Sequence, residues 1–426
     1  TQSRSSAASD VYKRQAILRA NIELLIKSEG FNMYEVHNNY AVKGSKTYIK
    51  VIVALFISGF TIFSILYSVQ PLIPHFTKSF NVSETKASLA LSSATLTLAF
   101  AMLFFGAISE VLGRKPIMIF SVLSVSLLAL IQPFLTDFNT FLIVRLIQGI
   151  CLAGLPSIAM AYIGEEISSH NLPEAMGIYI SGNAFGGAFG RIFTGFISSI
   201  YGYQTGLICI GVISVIAAIL FTFLLPSSKH FDKQRFSVKA LLISYYKHLT
   251  NIRLLKPFMI GFLLLGCNIA AFNYIGFVLS EKPYNLHDSI ISFIYLLFLI
   301  GMISSILNAK LRTKLGTLNA LKFSVLLLIF GINITLLPPL TFKIIGLAFS
   351  VYAFFSGHAI ASAVVTSRAE DHKAQASSLY LLFYYMGSSV GGTLAGVFYN
   401  YIQWPGVVLM ITSFMIIAFV LSLIHI

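Results

Sequence analysis

Twelve apolar stretches, each about 20 residues long, dominate this chain and leave few folds open to it. A helix needs about 20 largely apolar residues to cross a bilayer, because each residue advances only about 1.5 Å. Runs of that kind lie near residues 50–74, 87–109, 115–134, 138–163, 174–198 and 203–225. After a hydrophilic stretch, more follow near 257–279, 289–309, 318–337, 342–364, 375–399 and 403–425. Charged residues make up 10% of the chain, against roughly 25% in ordinary soluble domains, too few to clothe a soluble protein of 426 residues. The expectation is an all-α integral membrane protein, with twelve transmembrane helices in two pseudo-symmetric six-helix bundles. The bundles are expected at 50–225 and 257–426, joined by a basic cytoplasmic linker at 226–256 and preceded by a cytoplasmic segment at 1–49. The ends Thr1 to Gln15 and Leu421 to Ile426 resemble translated contig ends. Residues 1–32 are therefore expected to be non-native, with Met33 the natural start and the C-terminus cut short.

The net charge of +14 is an orientation signal rather than a nucleic-acid footprint, because of where it sits. With the N-terminus inside, 23 of the 29 Lys and Arg fall on inner segments and four, Lys78, Lys86, Lys282 and Lys343, on outer ones. The remaining two, Arg145 and Arg191, lie within apolar runs. Three cysteines, Cys151, Cys209 and Cys267, stand singly in apolar surroundings, which is neither a disulfide framework nor a metal spacing. No nucleophile–histidine constellation, metal cluster or ATP-binding loop is visible, so an enzyme, a metal and a cofactor are not expected.

The halves repeat. Gly182-Asn-Ala-Phe-Gly186-Gly187 returns as Gly387-Ser-Ser-Val-Gly391-Gly392, and Ala175-Met-Gly-Ile-Tyr179 as Ala376-Ser-Ser-Leu-Tyr380. Small residues at every fourth position let membrane helices approach closely, so Gly182, Gly186, Gly187, Gly190, Gly387, Gly391 and Gly392 are expected to pack helices. Two parallel six-helix repeats are the plan of a rocking carrier with its cargo site between the halves at mid-membrane.

The candidate site follows from polar residues in apolar runs. A buried arginine is expensive, so Arg145 and Arg191 are expected to face the substrate cavity. No Asp or Glu lies in the middle of any run, so a cationic cargo would lack a partner, and neutral or anionic cargo is preferred. His358 is the titratable group at depth and is a proton-coupling candidate. Glu165 and Glu166, at the inner end of the fourth run, are the others. Tyr67, Gln70, Gln148, Asn183, Asn273, Tyr274 and Tyr384 are expected along the cavity, since buried amides and phenols must find partners.

Gly106-Ala-Ile-Ser-Glu110-Val-Leu-Gly113-Arg114-Lys115 resembles the signature loop of the major facilitator superfamily, with Glu110 in place of its usual Asp. The resemblance implies a conformational latch formed by Gly106, Glu110, Gly113, Arg114 and Lys115. Arg145-Leu-Ile-Gln148-Gly149 resembles the Arg-x-x-Gln-Gly motif of that superfamily's proton-coupled antiporters. Leu66-Tyr-Ser-Val-Gln70-Pro71, Gly113-Arg-Lys-Pro116, Phe272-Asn273-Tyr274-Ile-Gly276 and Gln375-Ala-Ser-Ser-Leu-Tyr380 are similar to the bacterial acriflavine-sensitivity group of inner-membrane permeases, near the drug:proton antiporters. That likeness implies twelve helices in two bundles and proton-driven transport in the bacterial inner membrane. The reading that follows is export of a small amphipathic neutral or anionic compound by a monomer, with both termini cytoplasmic from the Lys and Arg bias. Small-molecule cargo, protons and membrane lipid would be its partners. A proton-coupled importer of a sugar or carboxylate shares the fold. A membrane sensor or scaffold is the other alternative.

Overall fold

The computed structural model describes residues 40–231, 233, 238–369 and 371–423, which hold all of the expected runs but the last two residues of 403–425. The leader 1–32, Glu370 and the last three residues lie outside the described residues.

The first span is Lys46–Tyr67, continued through a 3-10 turn at Gln70–Leu72 by Ile73–Ser79. The second is Glu84–Leu112 and the third Arg114–Ile131. The fourth is broken into Phe138–Ala153 and Ala159–Glu166, around a Gly154-Leu-Pro156 turn where proline removes a donor. The fifth and sixth are Leu172–Tyr201 and Tyr203–Leu224. The second half opens with Ile252–Ser280, the seventh span. The eighth starts as Asp288–Ser292, passes through a 3-10 stretch at Phe293–Leu299 and ends as Ile300–Leu315. The ninth and tenth are Thr317–Ile334 and Leu340–Arg368. The eleventh and twelfth run together as Lys373–Leu423, separated by non-helical backbone at Ile402 and Gln403. The fold is therefore the twelve-helix, two-bundle one. By length and composition alone, eight described helices qualify as spans. The difference comes from the breaks in the fourth and eighth, the merging of the last two, and the glycines and polar residues that lower the hydropathy of the fifth.

Side-chain caps start several spans: Ser45, Ser83 and Asp137 accept from the N–H of Tyr48, Lys86 and Thr140. The Thr140 N–H holds the Asp137 carboxyl below its ordinary range. Gly113 and Gly316 end the second and eighth spans at φ 95° and 78°, a left-handed region that suits glycine, at matching places in the two halves.

The small-residue phrase acts between specific partners. A Cβ on Gly182 would sit 2.6 Å from the carbonyl oxygen of Phe56, and one on Gly186 or Gly190 would meet the backbone of Phe60 or Ser64, so the fifth span lies against the first. In the second half, Gly387 and Gly391 meet the backbone of Phe262 and Gly266 on the seventh span. Gly187 and Gly392 face elsewhere, toward Arg191 with Tyr67 and toward Asn273 with Ser92.

The linker holds a helix, Val238–Leu249, that the hydrophilic reading did not anticipate. It ties the bundles at one end of the molecule, called here the linker end. The Tyr245 hydroxyl donates to the carbonyl of Leu103 on the second span (2.9 Å), and Lys247 pairs with Asp371 (2.8 Å) just ahead of the eleventh. That ammonium holds the Asp371 carboxyl below its ordinary range.

Candidate functional site

The two intramembrane arginines separate into different roles. Arg145 is fully buried, and its Nε donates to the carbonyl of Ala90 (2.6 Å) and its Nη2 to that of Leu66 (2.9 Å). Its Nη1 donates to Gln148 Oε1 (2.9 Å) and, at longer range, to the carbonyl of Ile65 (3.5 Å). Arg145 thus ties the first, second and fourth spans together. Expected on the cavity, Arg145 and Gln148 lie instead inside the first bundle.

Arg191 sits between the halves. Its Nε donates to Gln70 Oε1 (2.6 Å) and its Nη1 to the carbonyl of Gly187, one turn back (2.8 Å). The central carbon of the guanidinium lies 3.7 Å from the Tyr67 ring centroid and 4.3 Å from that of Phe298. Tyr295 covers it at 5.7 Å. Tyr295 and Phe298 stand on the 3-10 stretch of the eighth span, whose three-residue repeat stacks them on one side. Gln70 passes the contact on: its Nε2 donates to Asn273 Oδ1 on the seventh span (2.8 Å), so a continuous chain Arg191–Gln70–Asn273 crosses from one half to the other. Among the described residues, no carboxylate pairs with either arginine.

His358 lies in the second half, its Nδ1 2.8 Å from the Tyr380 hydroxyl and its ring 4.4 Å from that of Tyr384. An aromatic path through Phe354, Phe355 and Phe298 links it to Arg191. Asn183 packs against the first span at Gly59, with its Oδ1 buried and, among the described residues, unbonded. Tyr274 is fully buried against Tyr399 and Phe277.

At the linker end, the signature loop closes on a residue expected elsewhere. Arg114 forms an ion pair with Glu165 (2.7 Å) and donates to the hydroxyl of Ser109 (2.6 Å), whereas Glu110 makes no hydrogen bond or ion pair among the described residues. Lys115 donates to the carbonyl of Leu225, at the end of the sixth span (2.6 Å). Glu166 is buried and accepts from the N–H groups of Lys229 and His230, anchoring the linker. Both carboxylates are therefore engaged within the first bundle and its linker, and among the described residues neither bonds Arg191 or His358. A Cβ added at Gly106 would meet nothing nearer than the carbonyl oxygen of Ser157, at 4.0 Å.

Comparison with known proteins bears on this arrangement directly. Residues 55–372 match the Major Facilitator Superfamily. The chain belongs to the Major Facilitator Superfamily. It is 46% identical over 383 residues to the MFS-type transporter YybF of Bacillus subtilis (strain 168), covering 90% of this chain and 95% of that one. It is 34% identical over 381 residues to the inner membrane transport protein YnfM of Escherichia coli (strain K12), covering 89% and 91%. A bacterial homologue of the human lysosomal transporter Spinster, solved inward-facing and occupied, superposes with TM-score 0.72 at 13% identity, over 89% of this chain and 97% of that one.

In this superfamily member, the direct side-chain bonds between the halves gather toward the end opposite the linker. Among the described residues they are Thr95–Ser388 (3.4 Å), Ser92–Thr393 (3.1 Å), Thr85–Asn400 (3.4 Å), Gln70–Asn273 (2.8 Å) and His75–Asp288 (3.3 Å). Sequence reasoning missed Tyr295, Phe298 and the His75–Asp288 pair. A titratable residue at the end of a span in each half was the available signal for the last. A cavity of about 20 Å³ lies in this closed end between Gln70, His75, Asn273 and Asp288, enough by volume for about one water and too small for cargo.

Partly exposed ion pairs contribute about 0.2–1 kcal/mol. Asp288→Asn should therefore loosen the closed end by up to about fivefold. The labelling rate of a Ser292→Cys reporter by an impermeant thiol reagent measures this. An unchanged rate would remove His75–Asp288 from the closure.

Proposed function

We propose that this protein is a secondary active transporter working by alternating access, and that it exports a small amphipathic neutral or anionic compound in exchange for protons. The observation that supports this best is the asymmetry of the contacts between the halves. They gather at one end, and the Arg191 cluster and His358 stand between the bundles. A carrier with one gate shut and its site reached from the other side has this form. The positive-inside bias makes the linker end cytoplasmic, so this conformation faces inward, with both termini cytoplasmic. The likeness to the acriflavine-sensitivity permeases and to an inner membrane transport protein favours the bacterial inner membrane, and a monomer is sufficient for the mechanism.

His358 is the proton carrier in this reading. Its ring lies against Tyr380 and Tyr384, whereas Glu165 and Glu166 are held by Arg114 and by the linker backbone. An imidazole can take up and release a proton, which fits a proton exchanged in each cycle. In proteoliposomes of known orientation, an imposed pH gradient should drive flux of a compound from a screened panel, and counterflow should give its direction. His358→Ala should lower the gradient-driven component by about tenfold or more while leaving counterflow in place, as expected for loss of a general proton carrier. Gradient-driven flux that survives His358→Ala would remove His358 from coupling.

A further inference from the structure

We propose that Arg191 is a carboxylate receptor, and that the cargo is a small monocarboxylate with an aromatic or apolar body; this rests on the reading of the chain as a carrier. A guanidinium has five N–H groups. Among the described residues, Gln70 Oε1 accepts from Nε and the Gly187 carbonyl from Nη1, the Tyr67 hydroxyl is a further side-chain partner, and none of these is a charged group. Arg145 is the contrast within the same molecule: all three of its nitrogens are engaged and its position is purely internal. A buried cation satisfied by amides and ring faces still lacks a counter-charge, and one anionic group supplies it.

The shape of the site selects the anion. The Tyr67 and Phe298 rings crowd the guanidinium carbon at 3.7 and 4.3 Å, which favours a flat group that meets the N–H edge. A planar carboxylate does so, with two parallel N–H···O bonds along the fork. Gln70 Oε1 already occupies one of those oxygen positions, 2.6 Å from Nε, and acts as an internal substitute for the cargo. The rings that flank the fork give an apolar body its contact surface.

The same geometry links occupancy to the gate. Gln70 accepts from Arg191 with one end of its amide and bonds Asn273, in the other half, with the other end. A cargo carboxylate that takes Nε displaces Gln70 and removes the polarised donor that closes on Asn273. The loaded carrier thus loses one of the bonds that hold its outer end shut.

Phenylacetate, with phenylacetamide and phenethylamine as its neutral and cationic matches, tests this on the purified full chain by calorimetry. Phenylacetate should bind about tenfold or more tighter than the amide, the range of a charge-assisted bidentate bond, with the amine weakest. Arg191→Lys should cut that preference severalfold, because an ammonium lacks the fork, and Arg191→Gln should abolish it. Gln70→Leu removes the internal competitor and should tighten phenylacetate binding, which a merely structural Gln70 would not do. Absence of phenylacetate binding to the wild type, equal binding of the amide, or full preference in Arg191→Lys would each overturn the proposal. The two readings fail separately. Bound phenylacetate that is never moved across a vesicle membrane would end the carrier reading and leave the receptor. Movement of other cargo without phenylacetate binding would do the reverse.

Discussion

Gly387→Ala should lower the melting temperature of the purified protein and its yield in membranes, whereas Gly177→Ala should not. At Gly387, an added methyl would lie 2.6 Å from the carbonyl carbon and 2.7 Å from the Cα of Phe262, both backbone atoms of the seventh span. No rotamer relieves a clash with backbone, so the eleventh span must move away. Overpacking of this kind costs about 1–3 kcal/mol, and the displaced helix also loses its contact at Gly391. Gly177, on the fifth span, has nothing within 4 Å of the same position and is exposed. There the helical preference of alanine over glycine should stabilise by up to about 1 kcal/mol. Gly186→Ala, against Phe60, should behave like Gly387→Ala, since it fills the corresponding place in the first half. A Gly387→Ala protein melting within about 2 °C of wild type would show that the first-to-fifth and seventh-to-eleventh pairings are not tight.

How much of this was legible beforehand follows from what hydropathy encodes. The twelve spans could be read because transfer of a helix into lipid depends on its own length and composition. The fourth and eighth kept their places although both are broken, since an interrupted helix still crosses. The repeat of Gly182–Gly187 in Gly387–Gly392 announced close packing but not the partner, because lateral order in a bundle leaves no mark on hydropathy. The partners proved to be the first and seventh spans. Tyr295 and Phe298 were invisible for a related reason: in an apolar run, an aromatic ring that covers a cation looks the same as one that faces lipid. The linker helix was missed because charge density in 226–256 masked its buried residues, Leu241, Tyr245 and His248. Burial also pushes the His248 imidazole below its ordinary range.

The hardest distinction was between Arg145 and Arg191. Both stand in apolar runs with no carboxylate nearby in sequence, and both are almost completely buried. What divides them is the supply of backbone acceptors from other spans, which only the assembled bundle provides. Their conservative variants should therefore fail in different ways. Arg145 places three nitrogens on the carbonyls of Ala90 and Leu66 and on Gln148, with a fourth, longer approach to Ile65. A lysine brings one nitrogen, strongly hydrated in the unfolded chain, and cannot span oxygens held on separate helices. Arg145→Lys should leave one or more buried acceptors without a donor, at about 1–3 kcal/mol each. The expected result is a melting midpoint lowered by several degrees and a loss of transport that tracks the loss of folded protein. Arg191→Lys should instead fold with nearly wild-type stability, because the acceptors it abandons, Gln70 Oε1 and the Gly187 carbonyl, remain within reach of a flexible ammonium or of a helical N–H. Its deficit should appear in cargo binding. Measured side by side, a variant pair in which Arg145→Lys melts like wild type and Arg191→Lys does not would reverse these assignments and make Arg145 the residue that meets cargo.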